Sequence, residues 1–171
     1  YNTYDSNALD EKLVTSLFQK NRADGMITLA VNRDDLWLAK TAGKYPLVQC
    51  SEYVEDAAIP HISVDNRLSA RESVQHLISL GHRRIGVVTS ANRYLSSTNR
   101  LRGYLDALEE AGIPRDDDLI AYASADYSFA SGKQAARNLL SLPEPPSAIF
   151  CVSDILALGV IASAGKMGLQ V

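Results

Sequence analysis

Residues Phe150 to Val160, Phe-Cys-Val-Ser-Asp-Ile-Leu-Ala-Leu-Gly-Val, run an apolar strand straight into a Ser-Asp cap and an apolar helix. In α/β proteins such a strand delivers a helix N-terminus, with its unpaired amides, to the crevice where small ligands bind. Nothing in the chain adds a reaction to that binding. His76 falls within a helical stretch and His82 follows a helix-ending glycine, so neither stands with a Cys or a second His at metal-ligand spacing. Serines 90, 96, 97 and 153 lie outside any Gly-x-Ser-x-Gly elbow, and the phosphate-cradling and dinucleotide glycine fingerprints are missing. The reading is a receptor and not an enzyme, with no catalytic residue, metal or cofactor.

Composition sets the frame for that receptor. The chain has 171 residues, 46% of them hydrophobic, enough to bury a real core in one domain or two small ones. A formal net charge of -3 gives no general attraction to phosphate backbones, so this chain is not expected to grip nucleic acid by itself. Cys50 and Cys151 both sit in apolar strand-like runs and read as buried, reduced thiols, which points to the cytoplasm. No run of 18 apolar residues spans a membrane.

The elements that would position a site alternate. Helices are expected over Ser6 to Lys20, behind a cap at Asp5-Ser6, and over Asp34 to Ala42, Asn66 to Leu80, Arg100 to Ala111, Ser131 to Leu142 and Asp154 to Met167. Strands are expected over Met26 to Val31, Pro46 to Cys50, His61 to Val64, Arg84 to Thr89, Leu119 to Ser124 and Ala148 to Val152. Short apolar strands separated by helices imply right-handed βαβ crossovers and parallel sheets covered on both faces. The polar stretch Asn92 to Asn99 reads as a mobile loop at the rim of a cleft, and the acidic residues between Glu109 and Asp118 as a solvated helix end and turn. The chain opens on a helix without a complete strand before it and stops where the pattern demands another strand. These residues are therefore expected to be part of a longer chain, cut at both ends.

Taken in order, several segments carry a resemblance. They are Ser63-Val64-Asp65-Asn66, His76-Leu77-Ile78, Leu80-Gly81-His82-Arg83-Arg84-Ile85-Gly86, Arg100-Leu101-Arg102-Gly103-Tyr104, Asp126 to Gly132 and Ala148 to Gly159. Their order and spacing resemble the effector-binding core of bacterial LacI/GalR-type transcriptional repressors, a fold shared with periplasmic sugar-binding proteins. Ser51-Glu52-Tyr53, Asp126 to Phe129 and Leu142 to Phe150 look most like the cytidine-responsive branch of that family.

The resemblance implies two Rossmann-like subdomains, each incomplete here, that clamp a small sugar or nucleoside between them. The crossing is expected near Arg84, giving subdomains over 1–84 and 85–171. It also implies a homodimer whose operator-reading helix-turn-helix lies outside this chain, so that DNA is reached only through that missing domain. A periplasmic solute-binding protein of a sugar transporter is the alternative.

Site residues follow from the same likeness. Tyr127 stands where relatives place an aromatic, and a flat ring suits a sugar face or a nucleobase. Arg100 opens a helix, where a cation opposes the macrodipole, so its fork of donors is better explained by ligand oxygens than by local stability. Ser153 ends its strand where relatives use a polar residue, while Asp154 is read first as the cap of the next helix and second as a contact. Ser51 and Glu52 end the strand from Pro46, and Glu52 can accept bonds from hydroxyls or an exocyclic amine. Asp65 either caps the helix from Asn66 or faces the cleft.

Overall fold

A computed structural model describes residues 11–29, 31–91 and 94–171. The chain divides into two compact units, one running to Val64 and taking in the short segment that ends at Ser96, the other beginning at Asp65 and, resuming at Ser97, running to Val171. Each is an α/β layer built on a parallel sheet, as alternating strands and helices require.

The first unit contains α1 (Glu11–Gln19), β1 (Met26–Thr28), α2 (Trp37–Ala42), β2 (Leu47–Cys50) and β3 (His61–Ile62), with the strands in the order β1-β2-β3. Met26 pairs with Leu47 and Gln49 with His61. Its core gathers Val31, Leu38, Leu47, Val54 and Ile59. Val14 and Phe18 bury one face of α1, and Phe18 stacks on Tyr45 with centroids 4.3 Å apart. The expected cap at Asp5-Ser6 lies outside the described residues. The helix expected from Asp34 begins instead at Trp37, because Asp35 closes a turn by accepting the Asn32 amide at 2.8 Å.

The second unit contains α3 (Asn66–Ser79), β4 (Ile85–Ser90), α4 (Leu95–Glu110, its first turn shared with the first unit), β5 (Ile120–Ala123), α5 (Phe129–Leu140), β6 (Ala148–Cys151) and α6 (Asp154–Lys166). The order is β5-β4-β6, all parallel, with Val87 facing both Ile120 and Phe150. Every residue of β4 is buried, which is why this strand reads as an apolar run and not as an alternation. Tyr104 is buried beside it and donates from Oη to the Ile85 carbonyl at 2.8 Å. That burial pushes the phenol up to about 12.

The units part between Val64 and Asp65, and the position near Arg84 at which the family resemblance sets a crossing falls within the second unit: α3 packs there, Val74 joins its core, and Arg67 grips Asp106 through Nε at 2.5 Å and Nη2 at 2.8 Å. One sequence expectation is corrected: residues 95–99 are not a loop. Helix α4 starts at Leu95, and Leu95, Ser96 and Ser97 are all buried, whereas Asn92 lies outside the described residues. The buried carboxylate of Glu52 accepts the Ser96 amide at 3.2 Å, giving this polar helix start the anion that an N-terminus favours.

Candidate functional site

In the second unit the strand order places the ends of β5, β4 and β6 along one edge, and α4 joins them. Ser97, Arg100 and Tyr104 fall on one face of that helix, spaced three and four residues apart. Ser97 Oγ hydrogen-bonds the Tyr127 hydroxyl beyond β5. Arg100 donates from Nε to Asn66 Oδ1 at 2.9 Å and from Nη1 to the Val152 carbonyl, beyond β6, at 2.6 Å. The aromatic and the guanidinium picked out in the sequence are thus fastened to the same helix face, one turn apart.

Tyr127 is half-buried and holds its backbone at φ 52°, the left-handed region, at a cost on the order of 1 kcal/mol for a residue with a Cβ. The loop around it over-determines that shape. Asp126 Oδ1 accepts the Ser128 amide at 3.1 Å and the Ser124 hydroxyl, the Tyr127 amide returns to the Ser124 carbonyl at 3.3 Å, and Ser128 Oγ caps α5 by accepting the Ser131 amide at 3.2 Å. The Ser124 hydroxyl and the Ser128 amide hold the Asp126 carboxyl below the usual carboxylate range. Strain of this kind persists only where the surroundings over-determine it, as they do here.

Among the described residues no carboxylate pairs with Arg100. Arg67, Arg71, Arg84 and Arg115 each meet a carboxylate, whereas the two groups that Arg100 touches among the described residues are neutral oxygens. Its other donors stay available to a ligand hydroxyl, carbonyl or anion.

The remaining candidates divide between local structure and exposure. Ser153, not Asp154, caps α6, its Oγ accepting the Leu156 amide at 3.4 Å. Asp154 is exposed in the first turn, where its charge complements the helix dipole. Asp65 caps α3, with Oδ1 accepting the Leu68 amide at 2.9 Å. In the first unit Ser51 is a left-handed turn residue at φ 70°, its amide donating to the Ile62 carbonyl at 2.8 Å and its own carbonyl accepting the Ser63 hydroxyl at 2.7 Å. Glu52 serves the start of α4, as described above.

Among the described residues the edge shows no nucleophile held by a base. Among the described residues no three of His, Cys, Asp and Glu gather as a metal site, and no helix is long and apolar enough to cross a membrane. Both cysteines are free and half-buried, and burial pushes the Cys151 thiol up to about 12. What the arrangement can do is stack and donate hydrogen bonds.

Sequence reasoning missed Asn66, Ser97 and the stack of Tyr53 on His61, whose centroids lie 4.0 Å apart. Ser97 and Asn66 each hydrogen-bond a partner more than 25 residues away, and no local pattern reveals that.

Comparison with known proteins supplies the remaining constraint. Residues 4–171 match the family described as periplasmic binding proteins and sugar binding domain of LacI family. The HTH-type transcriptional repressor CytR of Escherichia coli K12 is 34% identical over 162 residues, which make up 94% of this chain and 47% of that protein. The chain spans about half the length of the curated relatives it matches. An uncharacterized protein from Actinobacillus succinogenes superimposes with a TM-score of 0.86 at 29% identity, covering 94% of this chain and 59% of that one. A complex of the transcriptional regulator CelR with cellobiose gives 0.79 at 28%, covering 94% and 49%.

Proposed function

The chain belongs to the family of periplasmic binding proteins and LacI-type sugar-binding domains, and on that premise we propose that it is the ligand-sensing core of a bacterial transcriptional repressor. It receives a small, uncharged sugar or nucleoside and leaves it chemically unchanged. In the whole protein, occupancy alters how a separate DNA-binding domain holds its operator. A ligand does this only through unequal affinity for two states of the protein, and couplings of about 1 to 3 kcal/mol are typical.

The observation that carries the proposal is the edge formed by Tyr127 and Arg100: a ring in a strained, tied loop, joined to α4 through Ser97, and a guanidinium of α4 that meets only neutral oxygens among the described residues. Ser153 and the exposed Asp154 stand at the same edge. Asp65 caps α3, Glu52 serves the start of α4 and Ser51 forms a turn, so any ligand contact by them is secondary to those roles. That relatives are HTH-type repressors, and that a CelR neighbour is a cellobiose complex, favours this reading over a transporter's solute-binding protein.

The test is a thermal-shift screen of the full-length protein with cytidine, other nucleosides, cellobiose and monosaccharides. A ligand at a hundred times its dissociation constant adds about 2.7 kcal/mol. Tyr127→Ala and Arg100→Ala are each expected to abolish the shift, and a shift that survives both would move the site elsewhere.

We propose a homodimer on separate grounds. Ile155, Leu158 and Ile161 lie 51%, 58% and 48% exposed on one side of α6, an apolar stripe that water would not leave bare. Sedimentation velocity should find Leu158→Glu monomeric at concentrations where the unaltered protein is dimeric. Two equal sedimentation coefficients would reject this face.

A further inference from the structure

The geometry points to Asn66 as the positioning residue for Arg100, a role that rests on the ligand reading above. Asn66 is the first residue of α3 and only 6% exposed, an expensive place for an amide that has no work to do. Its Oδ1 accepts Nε–H of Arg100 at 2.9 Å, while the Val152 carbonyl takes Nη1–H at 2.6 Å. Two bonds to adjacent nitrogens of a planar group fix both the plane and its rotation. The guanidinium then offers its remaining N–H groups in one orientation, where a free arginine would first have to give up much of its rotamer freedom.

Both acceptors are neutral, and this matters for what is recognised. A carboxylate at position 66 would hold the arginine as firmly and also spend its charge. An amide holds it and leaves the full positive charge to strengthen the remaining N–H bonds to neutral ligand oxygens. Asn66 itself need not touch the ligand, so it acts through Arg100.

A double-variant cycle in the full-length protein separates this role from a merely structural one. Isothermal titration with cytidine and with cellobiose is run on the unaltered protein, Asn66→Ala, Arg100→Ala and the pair combined. Positioning predicts a loss of about tenfold or more for Asn66→Ala, at least as large a loss for Arg100→Ala, and no further loss in the combination. Losses that multiply in the combination would overturn it. Should the alanine variant not fold, Asn66→Ser preserves the helix start with a side chain too short to reach Nε, and the same loss is expected.

A second readout needs no ligand. The Arg100 Nε–H proton should exchange slowly with water in the unaltered protein, remain slow in Asn66→Asp and become fast in Asn66→Ala. Equal exchange in the unaltered protein and Asn66→Ala would overturn the pinning while leaving the ligand reading intact. The expected exchange pattern with no nucleoside or sugar of the thermal-shift screen bound by the unaltered protein would reject the ligand reading and, with it, this role.

Discussion

Gly103→Ala is expected to destabilise the protein by about 2–4 kcal/mol, seen as a lowered urea midpoint with little change in slope. Propensity alone predicts the opposite, since alanine in a helix interior is better than glycine by about 1 kcal/mol. The crossing of α3 and α4 decides the sign. A Cβ at position 103 would lie 2.2 Å from the Arg67 carbonyl oxygen, 2.9 Å from the Arg71 amide nitrogen and 3.0 Å from Ala70 Cβ. Even a close carbon to oxygen contact needs about 3.3 Å, so the helices must part by roughly 1 Å. Backbone cannot step aside as a side-chain tip can.

The damage would reach the site. The two helices run in the same direction, and their contacts advance together: Arg100 meets Asn66, Arg67 meets Asp106, and Arg71 and Gln75 meet Glu110. Arg100 lies one turn before Gly103, so a parted crossing carries the guanidinium away from its acceptor. Ligand affinity should fall together with stability. Gly165→Ala is the control: it lies in α6, no heavy atom lies within 4 Å of its added Cβ, and it is expected to gain up to about 1 kcal/mol. A neutral result at Gly103 would mean that the helices do not approach this closely.

The same glycine shows what the sequence could tell and what it could not. Arg100-Leu101-Arg102-Gly103-Tyr104 was legible as part of a family resemblance, and its helical period was plain. The reasons for its letters were not: Arg100 reaches Asn66 and Val152, Gly103 admits the backbone of Arg67, and Tyr104 bonds Ile85. Each partner comes from a distant stretch of chain. Strand and helix types could be read because apolar runs and amphipathic periods are local. The start of α4 could not, since Ser96 to Asn99 is polar, and the first turn is held by Glu52 from 44 residues away. Asp65 as cap or cleft residue was likewise undecidable until the Leu68 amide was seen against its carboxylate. Membership of a unit is likewise not local, since it depends on what α3 packs against.

Gly132 and Gly159 carry the argument to the other helix pair, where the informative quantity is the interaction between two substitutions. A Cβ at 132 would lie 2.7 Å from the Leu156 carbonyl oxygen, and one at 159 would lie 2.6 Å from the Phe129 carbonyl oxygen, 2.8 Å from the Lys133 amide and 3.0 Å from the carbonyl carbon of Gly132. Both glycines therefore serve one crossing of α5 and α6. Each alanine alone is expected to cost about 2–3 kcal/mol, because each must separate the same two backbones. Once separated they leave room for the second methyl, so the double variant should cost less than the sum by about 1 kcal/mol or more, well outside the few tenths seen for independent sites. Urea denaturation of the two single variants and the double measures this directly. Strictly additive losses would show that the clashes are relieved independently, by local bending and not by a shift of the helix. The distinction bears on the site, because a whole-helix shift of α6 would carry its cap, Ser153, away from the sheet edge, and local bending at Gly159 would leave it in place.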